Sequence, residues 1–173
     1  MDSTLTLGRA EKIIDQIVMD RLRVHGFVRS GFLEFDRADG GGCMQYVRVP
    51  VRGVSNSVFF ACHLVIEPEA AKRGFARLDC LPNLSCALFC PIQCLAGDDR
   101  PSEWTADSLE GVADAATDLA NEIELRGLSL FRDFANNDRI IAELESELDS
   151  RVMLTDSLSG VAMLAVLYLA RGQ

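Results

Sequence analysis

Two hydrophobic periods divide this chain, and together they restrict it to a fold in which sheet faces are buried against helix stripes. Cys43, Gln45, Val47, Val49 and Val51 alternate with Met44, Tyr46, Arg48 and Arg52, the two-residue period of a strand. Leu109, Val112, Ala113, Ala116, Leu119, Ala120 and Ile123 recur at three- and four-residue steps, the period of a helix. A chain of 173 residues that makes this change suits one domain.

Reading from the start, Ile13, Ile14, Ile17, Val18 and Leu22 make one helical face over Leu7 to Val24, closed by Gly26. Phe27 to Arg37 reads as a strand. Phe27, Leu33 and Phe35 share one parity and Val28 and Phe32 the other, so Gly31 is expected to mark a bulge. Asp39-Gly40-Gly41-Gly42 is a turn leading into the Cys43 to Arg52 strand, and Val54 to Ser57 makes a second turn. Val58 to Ile66 is apolar at nearly every position, as in a strand covered on both faces, and it stops at Glu67-Pro68. A fourth strand is expected at Leu84 to Phe89, between two prolines. Three helices follow: one from Leu109 closed by Gly127, one over Asn137 to Leu148 and one over Ser157 to Ala170. The expected fold is therefore α+β. An antiparallel sheet of three to four strands is preceded by one helix and followed by about three helices packed on it, with residues 1–173 forming one domain.

Charge is partitioned unevenly. The net charge of −9 arises from 26 acids and 17 bases, and residues 98–149 hold 15 of the acids with only 4 of the bases. Such a balance argues against nucleic acid as a partner and favours a cationic one. Asp107, Glu110, Asp114, Asp118 and Glu122 recur at three- and four-residue steps, which places five carboxylates along one helix face. Only Arg126 follows within reach to relieve their repulsion. Glu143, Glu145, Glu147 and Asp149 extend the acidic field. A solvated helix face explains these residues; so does a docking face for a basic protein.

Six cysteines stand at 43, 62, 80, 86, 90 and 94. Cys86, Cys90 and Cys94 repeat every four residues with Cys80 nearby, but the paired spacing of a zinc site is missing and Pro91 interrupts any helix that would align them. They read as small buried hydrophobes, and no metal or other cofactor is expected. The first ten residues carry no basic-then-apolar leader pattern, so reduced thiols and a cytoplasmic location are expected. The longest apolar run, Val161 to Ala170, is too short for a bilayer and reads as a core helix, with self-association through it as a further reading. His25 reads as a cation at a helix C-terminus. His63, inside the apolar strand, can share a sheet face with Tyr46 and Arg48, a trio able to line a pocket for an anionic group. Phosphate-binding glycine loops, a nucleophile elbow and a metalloprotease motif are all missing from the sequence, which weakens enzyme readings.

Several short segments carry a family resemblance: "LRVHGFVRSGFLEFDR" at Leu22 to Arg37, the second strand with Gln45, "FFACHLVI" at Phe59 to Ile66, Trp104 ahead of a long helix, and "LRGLSLF" at Leu125 to Phe131. On these the chain resembles the bacterial domain-of-unknown-function family 4304 over most of residues 10–145. The resemblance implies a small intracellular α+β domain without assigned activity or catalytic residues. The cysteine-rich stretch Cys80 to Cys94 and the apolar C-terminal helix depart from that pattern. In size, charge and layout the chain is also similar to bacterial immunity proteins, which neutralise toxins by binding them. The expected function is non-catalytic binding of a basic protein. The alternative is a small-molecule-binding domain or minor enzyme using the Tyr46, Arg48 and His63 face.

Overall fold

The computed structural model describes residues 4–76, 86–95, 103–146, 153–154 and 157–172. Within them the fold is α+β. The chain runs α1 (Leu7–Arg23), β1 (Val28–Gly31), β2 (Glu34–Ala38), β3 (Cys43–Arg48), β4 (Val51–Val54), β5 (Ser57–Phe60) and β6 (His63–Pro68). It continues through α2 (Glu69–Ala76), β7 (Leu88–Pro91), β8 (Trp104–Ala106), α3 (Leu109–Glu122), α4 (Leu128–Asp133), α5 (Asn137–Glu145), β9 (Met153–Leu154) and α6 (Ser157–Arg171). A 3-10 turn, Ile92–Leu95, follows β7, and a π turn, Ile123–Gly127, joins α3 to α4. Hydrogen bonds order the strands β1-β2-β3-β6-β7-β9 in one sheet and β4-β5-β8 in the other. The β1–β2, β4–β5, β5–β8 and β7–β9 ladders are antiparallel.

More strands form than the three or four expected: three expected strands are each broken in two, and β8 and β9 were not expected at all. Phe27 to Arg37 is a hairpin. Leu33 takes a left-handed backbone at φ 57° between β1 and β2, and the register shifts between Arg29 and Gly31, where the bulge was expected. Cys43 to Arg52 stops at Val49–Pro50, where proline cannot donate to a ladder, and resumes as β4 in the other sheet. Val58 to Ile66 likewise divides at Ala61–Cys62 into β5 and β6. Both breaks are at one level: the Ala61 amide donates to the Pro50 carbonyl at 3.2 Å, and the Ile92 amide donates to the Cys62 carbonyl at 3.0 Å. Backbone groups that lose their ladder at the bend thus find partners there, as buried peptide groups must. The fourth expected strand lies at Leu88–Pro91, and residues 84 and 85 are outside the described residues.

Two compact units divide the chain. The first comprises Met1–Arg37, Tyr46–Leu64 and Pro91–Ser129. Its core is α1 against α3, with Ile14, Val18 and Leu22 on one side and Val112, Ala116 and Leu119 on the other, all at most 1% exposed. Side-chain caps open both helices: Thr6 accepts from the Arg9 amide and Ser108 from the Gly111 amide at 3.1 Å. Gly26, at φ 83°, lies where a glycine was expected to close α1. Asp15 is a buried exception on the apolar face of α1. It pairs with Arg29 of β1 and accepts the Leu33 amide at 3.4 Å, so it ties the β1–β2 hairpin to the helix. Gly127 does not end the helix. It is buried in the π turn, and a Cβ there would meet the Leu64 methyl groups at 3.3 Å.

The second unit comprises Ala38–Gln45, Val65–Cys90 and Leu130–Gln173. In its glycine turn one Asp39 carboxylate oxygen accepts the amides of Gly41, at 2.7 Å, and Cys43, at 3.0 Å. Gln45 is 1% exposed and donates to the Phe131 carbonyl at 3.0 Å. The helix α2 was not expected, although Pro68 just before it and Glu69 in its first turn are start signals. It packs on α6, whose Met163, Val166 and Leu167 are buried while Val161, Ala165 and Leu169 are exposed. Close approach of α2 to α6 requires Gly74, where a Cβ would overlap Val166. Gly74→Ala should therefore destabilise the fold by about 1–3 kcal/mol in chemical denaturation. Adding Val166→Ala should make that increment smaller, and an unchanged midpoint for Gly74→Ala alone would refute this contact.

Candidate binding site

Helix geometry sorts the five expected carboxylates into two groups. A four-residue step exceeds one turn by about 40°, so three such steps carry a stripe about 120° around a helix. Glu110 and Asp114 are exposed, Asp118 is half-buried, and Glu122 is 5% exposed. Asp118 accepts the indole N–H of Trp104 at 2.8 Å. Glu122 pairs with Arg126 at 2.7 Å, and the same guanidinium donates to the Leu95 carbonyl at 2.8 Å. These two acids hold the fold together. Glu143 and Glu145, in the second unit, bond to Arg139 and Tyr168, and residues 147 and 149 are outside the described residues.

The remaining three, Asp107, Glu110 and Asp114, have no ion pair or side-chain hydrogen bond among the described residues. In the same unit Asp15, Glu34, Glu103, Glu122 and Glu124 each have a base within 4 Å, whereas among the described residues Glu11 and Asp36 are unpaired too and Asp20 accepts from Gln16 at 2.8 Å. Asp107, Glu110 and Asp114 differ from these in being exposed together at the start of one helix. Glu110, in the first turn of α3, gains from the helix dipole, whereas Asp114 is beyond that turn.

Asp107, just ahead of the Ser108 cap, also lines a cleft of about 630 Å³. The other walls are the Thr4–Leu7 segment before and at the start of α1, Gly53 of β4, and Ser55 to Val58 at the β4–β5 turn. Ser55 has φ 53°, and the Val54–Ser57 pair closes the turn. Among the described residues the wall carries hydroxyls, one carboxamide and one carboxylate, with no basic side chain; Arg9 bonds to the Thr4 carbonyl at 3.2 Å without lining the cleft.

Tyr46, Arg48 and His63 do come together, on neighbouring strands β3 and β6. The Arg48 guanidinium carbon is 5.7 Å from the centroid of the Tyr46 ring, and its Nε is 3.5 Å from a Glu34 carboxylate oxygen. Burial lowers the pKa of His63 below its ordinary value, and the Arg48 charge lowers it further. A neutral imidazole beside one guanidinium can take an anion, with Arg48 as the charge. His25 lies past the end of α1, and its Nε2 is 3.2 Å from a Glu124 oxygen, whose partner oxygen holds Arg21 at 3.2 Å.

Cysteine chemistry is muted. Cys43, Cys62 and Cys90 are buried, Cys94 is exposed on the 3-10 turn, and Cys80 is outside the described residues. Half-buried Cys86 donates to Glu67 at 3.2 Å, and Lys72 holds the other Glu67 oxygen at 2.9 Å. Burial, with the Glu67 hydrogen bond and charge, pushes the Cys86 thiol up to about 11. Burial first, then Asp39 and Glu69, pushes Cys43 up to about 12. Both thiols are protonated at neutral pH. Among the described residues no three His, Cys, Asp or Glu side chains converge as metal ligands, and no helix is long and apolar enough to cross a membrane.

No protein-family model, curated protein or solved structure matches this chain. The exposed acids of α3 and the trio on β3 and β6 came from residue type and period. The cleft was missed, since nothing in the sequence links residues 4–7, 53–58 and 107. Trp104 is the single tryptophan and provides a direct readout of the division within the acidic stripe. Asp118→Ala should cost about 1–3 kcal/mol through the unpaired indole N–H and shift the fluorescence of the native state. Asp114→Ala should do neither, and equal stability for the two variants would contradict the assignment.

Proposed function

We propose that this chain is a non-catalytic binding protein of the cytoplasm that receives a basic protein on the exposed acidic end of α3. One observation carries the reading. Asp107, Glu110 and Asp114 are exposed together at the start of α3 and, among the described residues, have no bonded base. Unneutralised charge on a rigid helix raises encounter rates with a cationic surface and sets its orientation. Inhibition of a basic toxin, in the manner of immunity proteins, is one function of this kind, and kinship with the domain-of-unknown-function family 4304 belongs to the same proposal. The cytoplasmic setting accords with the five described cysteines being free.

The test uses the purified chain as bait in its native lysate, beside a variant carrying Asp107→Lys, Glu110→Lys and Asp114→Lys. A basic protein should be retained at low salt, released at high salt and missed by the variant. Purified, that protein should associate with the variant roughly tenfold or more slowly, with most of the salt dependence removed. Equal retention by both baits would sink the reading.

A second reading, favoured by the stacking of Arg48 on Tyr46 beside His63, is binding of a small anion on the sheet face. Small carboxylates and phosphates should then raise the melting temperature, and His63→Ala and Arg48→Ala should each abolish the rise. His63 has a lowered pKa in the folded state, so the unfolded chain binds its proton more readily. The stability tied to His63 is therefore present above about pH 6.5 and falls as pH drops through that value towards the folded pKa. A melting temperature indifferent to every anion would remove this reading.

A further inference from the structure

The cleft beside Asp107 has a chemistry more specific than the charge around it. The polar residues that line it are Asp107, Asn56, Ser55, Ser57, Thr4 and Thr6, which bring one carboxylate, one carboxamide and hydroxyls as acceptors, and Leu7 and Val58 add apolar surface. Among the described residues no arginine, lysine, histidine or aromatic ring lines it. An anion would find hydroxyls and an amide there but no cation to pay for its desolvation. A guanidinium could pair with the Asp107 carboxylate through two of its five donors, but the remaining donors would need further in-plane acceptors or a ring to stack on, and scattered hydroxyls provide neither well. An ammonium group is different. It is a compact charge with three donors that separate oxygens can satisfy, carried on a methylene stem that packs on apolar surface. The volume of about 630 Å³ holds such a side chain with the peptide that bears it.

The β4–β5 turn supports the same reading independently of charge. Ser55 occupies the left-handed region at φ 53°, a conformation that glycine would adopt without a Cβ penalty. The chain instead has a residue with a hydroxyl there, on the wall of the cleft.

We propose that the cleft takes a lysine side chain of the basic partner, with Asp107 as counter-ion and the Ser55 hydroxyl among the acceptors of its ammonium group. This rests on the binding reading given above. Glu110 and Asp114 supply attraction at a distance, and the cleft supplies selection.

The 173-residue chain would be titrated by NMR with three end-blocked pentapeptides: pentalysine, pentaarginine and penta-acetyllysine. Pentalysine should bind best and penta-acetyllysine not at all, with shift changes centred on Thr4 to Leu7, Ser55 to Val58 and Asp107. Asp107→Asn should weaken pentalysine roughly tenfold while leaving the melting temperature unchanged. Ser55→Gly, which relaxes the turn and so keeps the fold, should weaken it severalfold. A doubly neutralised Glu110→Gln, Asp114→Asn variant should weaken both cationic peptides alike. If that last variant loses affinity but Asp107→Asn and Ser55→Gly do not, the lysine cleft is wrong and the acidic docking surface survives. Pentaarginine bound as well as pentalysine, with the same shift changes, would overturn the lysine selectivity. No binding by either cationic peptide would overturn the cleft and the docking surface together.

Discussion

The amide of Ala61 donates to the carbonyl of Pro50 where β3 gives way to β4 and β5 to β6, and the geometry of the first unit depends on that bond. Two chain segments leave one sheet at the same level and enter another. A bend of this kind strands peptide groups that the ladders would otherwise satisfy, and each one buried without a partner would cost as much as a lost hydrogen bond. Here proline removes one donor from the problem, its carbonyl accepts from Ala61, and the Cys62 carbonyl accepts from Ile92. With the bend satisfied, β4 and β5 extend as a separate ribbon whose turn forms one wall of the cleft that Thr4 to Leu7 and Asp107 complete.

Charge in this unit is used in two ways. Asp15, Glu122 and Glu124 act as internal clamps, each joining distant or successive segments through arginine, and Asp118 does the same through an indole N–H. Asp107, Glu110 and Asp114 join no other side chain among the described residues. The division follows from helix pitch. A row of acids at four-residue spacing cannot stay on one face, so the row starts in solvent and ends in the core. Net charge alone therefore overstates how much acid stands unpaired in solvent.

How far the sequence could be read depends on how local each feature is. The helix α1 was legible because an apolar face and a closing glycine all lie within twenty residues of one another. The alternation in Cys43 to Arg52 was legible too, and Cys43, Gln45 and Val47 are buried as it requires. The break at Pro50 was not, because β3 and β4 keep the same alternation on either side of it and only pairing partners distinguish them. The continuous apolar run at Val58 to Ile66 hid a second break for the same reason, since both halves are buried. Glu122 was misplaced by treating a drifting stripe as straight, and Gly127 by taking a glycine near a helix end as its stop when close contact with Leu64 requires it. Tyr46, Arg48 and His63 could be assigned to neighbouring strands because each strand was legible from its own apolar pattern.

The two-residue β4–β5 turn has a consequence for how such a protein can diverge. Val54 faces Ser57 and Gly53 faces Val58, so one residue added or lost in the turn would exchange the faces of the ribbon and bring Phe59 inward in place of Val58 and Phe60. Length variation by a single residue is thereby closed at this wall, while a change by two keeps the faces. Relatives that keep the fold can alter the turn by exchanging side chains at fixed backbone positions or by even steps in length, so divergence here would show as substitutions and paired insertions.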